Sequence, residues 1–406
     1  MDIPSPAELL QRLRALPASA PLLQRLADEP PVYLVGGAVR DLLLEREPLE
    51  FDLVVEGDPD LVAQRLGGAR RVHDRFDTSS VDLDGFRYDL ARARSETYSR
   101  PGALPDVRPA GLHEDLRRRD FTVNAAAIAL AGERAGEFIA MPTAVEDLEA
   151  NVLRVLHDQS FLDDPTRLLR LARYAARLRF HADAHTLALA HAAVAGGAVA
   201  TVSGARLGAE LRLLAREPDP LGALSALGDL HVDAAIDPDF GLGDPALAQQ
   251  ALELLVEGER RDRLVLALAA HRIPPARLAV LLDSLSFSAG DRDAILGTAT
   301  RAQAMSGALA QATRPSEIAA AAEGAPPELI AFAGALGAPE PARDWLTRLR
   351  HIRLAIDGSD LLAAGVPSGP AIGQGLRAAL AAKLDGRAPN EEAELAQALR
   401  AARGSG

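Results

Sequence analysis

No cysteine occurs among the 406 residues, so the chain can form neither a disulfide nor a thiolate metal site. Nothing in it requires an oxidising compartment, and a reducing cytoplasm is the expected setting. Aromatic residues make up 4% of a chain that is 48% hydrophobic, so its cores must be built from aliphatic side chains. No stretch of about eighteen uninterrupted apolar residues exists, and no membrane span is expected. The opening MDIPSPAELLQRL has no basic segment leading into a long apolar run, so no signal peptide is expected from it. A fixed-period repeat is missing as well, which argues against a solenoid. An excess of basic charge is also lacking. A net charge of −13 argues against a chain that coats nucleic acid indiscriminately. Any RNA contact must then come from local clusters of arginine and lysine.

What is present centres on Val32 to Asp58, VYLVGGAVRDLLLEREPLEFDLVVEGD. A short apolar run stops at Gly36-Gly37, and Ala38 to Leu44 follow with helical spacing. A second apolar run ends at Val55 and carries Glu50 and Asp52 at i and i+2, which a strand would point to one face. A glycine turn exposing N–H groups at a helix start can hold phosphate, and paired carboxylates can hold Mg²⁺. Each half alone is ordinary: Gly-Gly is common turn chemistry, and two acids on an edge strand are commonly a solvated face. Together, with Arg40 one helical turn beyond Gly37, they point to phosphoryl or nucleotidyl transfer.

Three later stretches extend the pattern. Val81 to Leu90 reads as a hairpin turning at Asp84-Gly85. If its return strand lies beside the first acidic strand, Asp89 becomes a third carboxylate; otherwise it is an exposed strand residue. Ala91 to Gly111 has three prolines, two glycines and four arginines without periodicity, and is expected to be a long binding loop. In LRRRDFTVNAAAIAL (116–130), Arg119 suits a phosphate or base contact, Asp120 a ribose hydroxyl, and Asn124 the holding of a turn. The alternative is a solvated arginine run ahead of an apolar helix. In DQSFLDDPTRLLRLARYAARLRF (158–180), Asp164 and Pro165 suit a helix start. That does not account for Arg167, Arg170 and Arg173, which step about 60° around the helix each time. Arg167 and Arg170 can share a target with Asp164, and Arg173 must reach sideways. An accepting Asp beside a donating Arg can read the Watson–Crick edge of a base.

These residues resemble one family. GGAVRD followed by an acid–x–acid strand ending VVEGD, with RRDFTVNA and DDPTR further on, is similar to the class II tRNA nucleotidyltransferases and bacterial poly(A) polymerases. The family pattern has Asp at both metal positions, whereas Glu50 stands at the first here and reaches about an ångström further. The resemblance implies an α+β fold, with a small mixed-sheet nucleotidyltransferase head followed by an all-α neck, body and tail. It implies Glu50, Asp52 and Asp89 as catalytic Mg²⁺ ligands. Gly36, Gly37 and Arg40 would hold the triphosphate. Arg119, Asp120 and Asn124 would hold the sugar–phosphate part, and Asp164 and Arg167 would select the base, supported by Arg170 and Arg173. The substrates implied are the 3′ end of tRNA, ATP and, for a full CCA adder, CTP. ARARSETYSRPGALP resembles the family's loop needed for adding the terminal adenosine, which disfavours a CC-only enzyme. The alternatives are a poly(A) polymerase acting on RNA 3′ ends and, in another class, a non-catalytic tRNA- or nucleotide-binding protein with Glu50 as the lesion.

The expected domains are a head at 1–150, a neck at 151–205 with the base-selecting element, a body at 206–340 and a tail at 341–406 that contacts tRNA. Residues 5–28 are expected to form one or two helices broken at Pro17 and Pro21. Arg343 to Arg353 gathers arginines around the single Trp345, either for RNA backbone or as a solvated basic helix. The His73-Asp74 and His157-Asp158 doublets lack further ordered partners, so no phosphohydrolase centre is expected, and His191 and His271 are expected to be surface or core residues.

Overall fold

The computed structural model of the chain describes residues 3–26, 31–48, 50–73 and 78–403; the doublet at His73-Asp74 falls outside them at Asp74. The chain divides into two compact units, Met1–Arg206 with Asp229–Ile236, and Leu207–Gly228 with Asp237–Gly406.

The first unit opens with α1 (Pro6–Ala15), started by a capping box in which Ser5 and Glu8 satisfy each other's backbone N–H groups. In α2 (Ala20–Arg25), Pro21 lies in the first turn and begins the helix instead of breaking it, because the first-turn N–H has no partner to lose. A seven-stranded sheet follows: β1 (Val32–Val35), β2 (Phe51–Val55), β3 (Ala69–His73), β4 (Thr78–Leu83), β5 (Phe86–Arg92), β8 (Ala126–Ala129) and β9 (Phe138–Ala140). Its order is β3-β4-β5-β2-β1-β8-β9. The sheet is mixed, since β2 and β5 run parallel while β1 is antiparallel to both β2 and β8. Asp84 and Gly85 both take positive φ, 52° and 86°, the geometry that a two-residue hairpin turn needs.

Strand alternation puts Phe51, Leu53 and Val55 on one face of β2, and Asp52 and Val54 on the other. Val54 joins Tyr33, Val35, Ala93, Ala127 and Ala129 in a core covered by Leu112 and Leu116 of α5 (Leu112–Arg117). Asp52 lies on this same face, beyond the apolar patch. The stretch after Arg119 departs from the helical alternative: Ala126–Ala129 is a buried central strand. Its three alanines let neighbouring strands and α3 (Gly37–Leu43) approach closely.

The expected loop at Ala91–Gly111 is instead strand on either side of an irregular connection at residues 98–105. β6 (Arg94–Thr97) pairs antiparallel with β7 (Asp106–Pro109) as a two-stranded ribbon. Its proline at 109 sits at a strand end and those at 101 and 105 in the connection, where a missing N–H costs no ladder bond. Period-two burial is absent because the ribbon has no apolar face (no residue of β6 is buried as a whole), so no sequence alternation could mark it.

Beyond the sheet come α4 (Pro59–Leu66), α6 (Ala144–Glu149), β10 (Val152–Leu153), α7 (Ser160–Asp163), α8 (Thr166–Leu178), β11 (His181–Ala182), α9 (Ala184–Ala195) and α10 (Gly204–Ala215). Asp147 is buried and joins several of these pieces. It accepts from Thr122 Oγ1 at 2.7 Å, from Thr143 Oγ1 at 3.2 Å, and from Arg154 Nε and Nη2 at 3.0 to 3.1 Å. Arg154 also reaches Asp183 at the start of α9.

The second unit is helical, running from Pro220–Asp229 to Glu391–Arg403. One core gathers Leu264, Leu309, Leu329, Phe332 and Leu346, and another gathers Ile356, Leu361, Ala379 and Ala398. Around Trp345 the arginines pair with acids: Arg343 with Glu340, Arg348 with Asp344, and Arg350 with Glu259 at 2.5 Å while lying over the indole. No described helix is long and apolar enough to cross a membrane.

Replacing Asp147 with Ala leaves the buried Thr122 hydroxyl without its acceptor and Arg154 with Asp183 as its remaining acid. The expected loss is about 2 kcal/mol in urea unfolding; a loss under about 0.5 kcal/mol would show that the junction does not need this carboxylate.

Candidate active site

Parallel pairing of β2 with β5 sets Asp52 directly beside Asp89 in register, so both carboxylates stand on the same face of the sheet. Ser80, the partner of Asp89 across β4, donates its hydroxyl to Asp89 Oδ1 at 2.6 Å. Glu50 lies one residue before β2 begins, not within it. Asp52 is open to solvent on one side and walled by protein on the others. Its desolvation raises the carboxyl above the ordinary range; the Arg119 charge opposes this, and the fields of Glu50 and then Asp89 reinforce it. Two like charges held together disfavour joint ionisation, as a bound cation would relieve.

The three-ligand metal set expected at Glu50, Asp52 and Asp89 is not closed: among the described residues no three acidic, His or Cys side chains stand close enough to hold an ion by themselves. The Asp52–Asp89 pair is set by strand register, and Glu50, just ahead of the strand, adds its field to Asp52. Mg²⁺ is commonly held by one or two carboxylates, with substrate phosphates and waters completing its octahedron, and the pair fits that donor set.

Beside the pair lies a cavity of about 360 Å³. Asp52, Gly36, Gly37, Arg119, Asp120, Asn124, Asp164, Arg167 and Arg170 all line it. Gly36 takes φ +69°, and a Cβ there would sit 2.7 Å from Arg119 Nη1, so this turn both requires glycine and carries a guanidinium laid against it. Arg119 is held by Asp115 at 3.1 Å, while its Nε is buried without a hydrogen-bond partner among the described residues. A buried cationic donor left unmade is costly and suits an anionic oxygen in the cavity.

Asp120 anchors the floor. Its Oδ2 accepts from Arg170 Nε and Nη2 at 2.8 and 2.6 Å, and its Oδ1 from Asn124 Nδ2 at 3.0 Å and the Phe121 N–H at 2.8 Å. Burial alone would raise the carboxyl, but the Arg170 charge and these hydrogen bonds outweigh it and lower it to about 2. Asn124 in turn accepts from Arg40 Nη1 at 2.6 Å, and Arg40 also pairs with Asp41 at 2.8 Å. Arg40 is therefore buried behind the glycine turn and does not line the cavity. Its placement suits the positioning of Asn124, where direct triphosphate contact was expected.

On α8, Arg167 donates to Ser160 Oγ and to the Arg118 carbonyl, both at 2.6 Å. Asp164 lies just before the helix and accepts from the Thr166 N–H and hydroxyl at 3.0 and 2.6 Å. Arg173 is buried and does not line the cavity; two steps of drift have carried it away from Arg167.

Several lining residues escaped sequence reasoning. Arg118 is shared by Asp115 and Glu96 at 2.7 and 2.8 Å. Glu96 also binds Arg94 and the Tyr98 hydroxyl, whose ionisation desolvation strongly opposes. Tyr174 lies beneath the guanidiniums of Arg170 and Arg177. Asp115 could have been found, since it precedes Arg118 and Arg119 at the i+3 and i+4 spacings that pair on a helix. Arg206, which binds Asp164 from 42 residues away, had no local signal.

Comparison with known proteins follows the same outline. Residues 32–154 match the family described as Poly A polymerase head domain. An A-adding tRNA nucleotidyltransferase of Geobacter sulfurreducens is 34% identical over 92% of this chain and 45% of its own length. A CC-adding tRNA nucleotidyltransferase of Deinococcus radiodurans is 34% identical over 87% of this chain and 85% of its own. The Thermotoga maritima CCA-adding enzyme complexed with tRNA superposes with a TM-score of 0.75 at 29% identity, over 98% of this chain and 99% of that one. The chain spans half or less of the length of the A-adding relatives that it matches.

Because the Asp120 carboxyl is lowered on folding, its contribution is complete above the ordinary value near 3.8 and disappears as pH falls toward about 2. Asp120→Asn should cost about 2 kcal/mol at pH 7 and visibly less at pH 3, by urea unfolding at both. A deficit that grows on acidification would contradict the Arg170 pairing. Gly36→Ala should stay folded but lose about tenfold in nucleoside triphosphate affinity by equilibrium titration, since it strains the turn by about 1–3 kcal/mol and displaces Arg119.

Proposed function

Since the chain belongs to the family of tRNA nucleotidyltransferases and poly(A) polymerases, we propose that it extends the 3′ end of tRNA by the terminal A, or by the whole CCA, using nucleoside triphosphates and releasing pyrophosphate. The reading rests on one observation above all: Asp52, with Asp89 beside it by strand register, lines the same cavity as the glycine turn at Gly36 and the underbonded Arg119.

In this reading Asp52 and Asp89 hold Mg²⁺, with Glu50 adding negative field from the strand's start. The bound ion would activate the 3′-hydroxyl and offset charge developing on the α-phosphate and the pyrophosphate. The Gly36–Gly37 turn presents backbone N–H groups to the triphosphate at the start of α3. Arg119 offers its buried Nε to the same anion. Asp120, kept ionised by Arg170, accepts from a ribose hydroxyl or holds Arg170 toward the nucleotide. Asn124, held by Arg40, keeps Asp120 in place. Asp164 and Arg167 present an acceptor and a donor to the base edge, the discrimination that side chains achieve with paired hydrogen bonds. Arg173 supports α8 from its buried side.

The helical body and tail would hold the tRNA by shape and backbone, as RNA duplexes are commonly held. The head, neck, body and tail division goes with this reading, as does the cytoplasm, where tRNA and nucleoside triphosphates are found. That the relatives include both A-adding and CC-adding enzymes supports the reaction class and leaves the nucleotide to experiment.

The test is incubation with Mg²⁺ and tRNAs ending in the discriminator base, in C, or in CC, supplying each triphosphate separately. Labelling of the CC-ended tRNA by ATP is expected. CTP labelling alone would make it CC-adding, and long tails on any RNA would make it a poly(A) polymerase. No labelling with tRNA still bound would support the non-catalytic alternative. Asp52→Ala should reduce incorporation to background while leaving tRNA binding within about twofold. An active Asp52→Ala enzyme would remove the site assignment.

A further inference from the structure

The base-facing carboxylate of Asp164 is unevenly occupied. Its Oδ1 accepts three hydrogen bonds, from the Thr166 N–H, the Thr166 hydroxyl and Arg206 Nη2 at 2.7 Å. All three donors fall on this one oxygen, and none of them is shared with Oδ2. Two of the three donors belong to the helix start two residues on and come with any Asp at a helix cap. The third comes from the first turn of α10, outside every motif that the sequence displays.

Arg206 does two things at once. Its Nη1 donates to the Gly102 carbonyl at 3.2 Å, in the connection between β6 and β7, while Nη2 holds Asp164. Gly102 is itself tightly seated: it takes φ +69°, a Cβ there would lie 2.2 Å from Thr201 Oγ1, and its N–H reaches the Leu162 carbonyl at 3.1 Å. The ribbon connection is thus a fixed post, and the guanidinium spans from that post to the carboxylate. Arg206, Asp164, Arg167 and Pro105 all line the one cavity. An arginine fork with one arm on a rigid carbonyl restricts where its other arm can place a carboxylate.

On the reading that Asp164 faces the base, we propose that Arg206 is a positioning residue for nucleotide choice. It saturates Oδ1 and turns Oδ2 toward the cavity, as a fixed acceptor for the exocyclic amino group of the incoming base. Without Arg206 the Asp164 carboxylate keeps its two Thr166 donors, which permit rotation about the side chain. The acceptor then remains in the cavity but loses its single direction. A simple staple between the ribbon and α10 would behave differently, weakening the fold or slowing all nucleotides alike.

Equilibrium titration of wild type, Arg206→Ala and Arg206→Lys with ATP, CTP, GTP and UTP separates the two cases, alongside thermal unfolding and incorporation into CC-ended tRNA. The amino-bearing bases of ATP and CTP should be preferred over UTP by wild type. Arg206→Ala should reduce that preference by about tenfold, the worth of one hydrogen bond to a charged group, through KM for the preferred nucleotide more than through kcat. Arg206→Lys keeps the charge but not the fork and should recover part of the preference. An Arg206→Ala protein that stays folded with its preference intact overturns the proposal, as does equal weakening toward all four nucleotides. If Arg206→Ala fails to fold, an Arg206→Lys protein with undiminished preference overturns it. A wild type that binds no triphosphate at all overturns the functional reading itself, and this inference with it.

Discussion

The two hydrogen bonds from Arg170 to Asp120 hold this site together. They join the middle of α8 to the turn that follows α5, and the interaction continues through Asn124 and Arg40 to the helix behind the glycine turn. Asp120 is almost fully buried, and a buried carboxylate is tolerated only with its charge matched and its lone pairs filled. Four donors fill them here. Each neighbour is then directed by what it donates or accepts, which leaves the wall of the cavity little freedom. A network with all its members satisfied specifies one arrangement; with one member missing it becomes a liability.

Charge is distributed with the same economy. The chain is acidic as a whole, yet the cavity collects Arg94, Arg118, Arg119, Arg167, Arg170 and Arg206. Most of their hydrogen-bonding capacity is directed at protein: Asp115 takes Arg118 and Arg119, Glu96 takes Arg94 and Arg118, and Asp164 takes Arg206. The local field is therefore positive but fixed in direction. The acidic pair on the sheet sits at one edge of it, where desolvation already works against ionisation of Asp52. A triphosphate bridging the two regions would meet cations along its length and carboxylates at its reacting end. Such separation of charge is worth most in a site walled from water, where opposite charges are less screened.

Sequence reasoning went astray at three kinds of place, each with its own cause. The ribbon at Arg94–Thr97 and Asp106–Pro109 was read as a loop because both strands lie at the surface without an apolar face, so the hydrophobic period that announces a strand never arises. Arg40 was expected in the cavity because one helical turn beyond Gly37 is the right distance, but distance along a helix does not say which side faces the ligand. Glu50 was grouped with Asp52 by the period-two rule, which holds only inside a strand; β2 begins one residue later, and what the structure shows of Glu50 is its field on Asp52 from just ahead of the strand.

Local chemistry was enough to mark the strand–glycine–helix unit, the hairpin at Asp84-Gly85, the helix after Pro165 and the residue types that could hold metal, phosphate and base. Those features depend on backbone geometry and on neighbours a few positions away, and a linear sequence displays both. Tertiary structure alone decided that β5 would lie parallel to β2 with Asp89 beside Asp52, that Arg170 would close on Asp120 50 residues back, and that Arg206 would hold Asp164. Pairings at such separation carry no local signature. They are selected because the whole unit, once folded, leaves its buried charges matched by partners within reach.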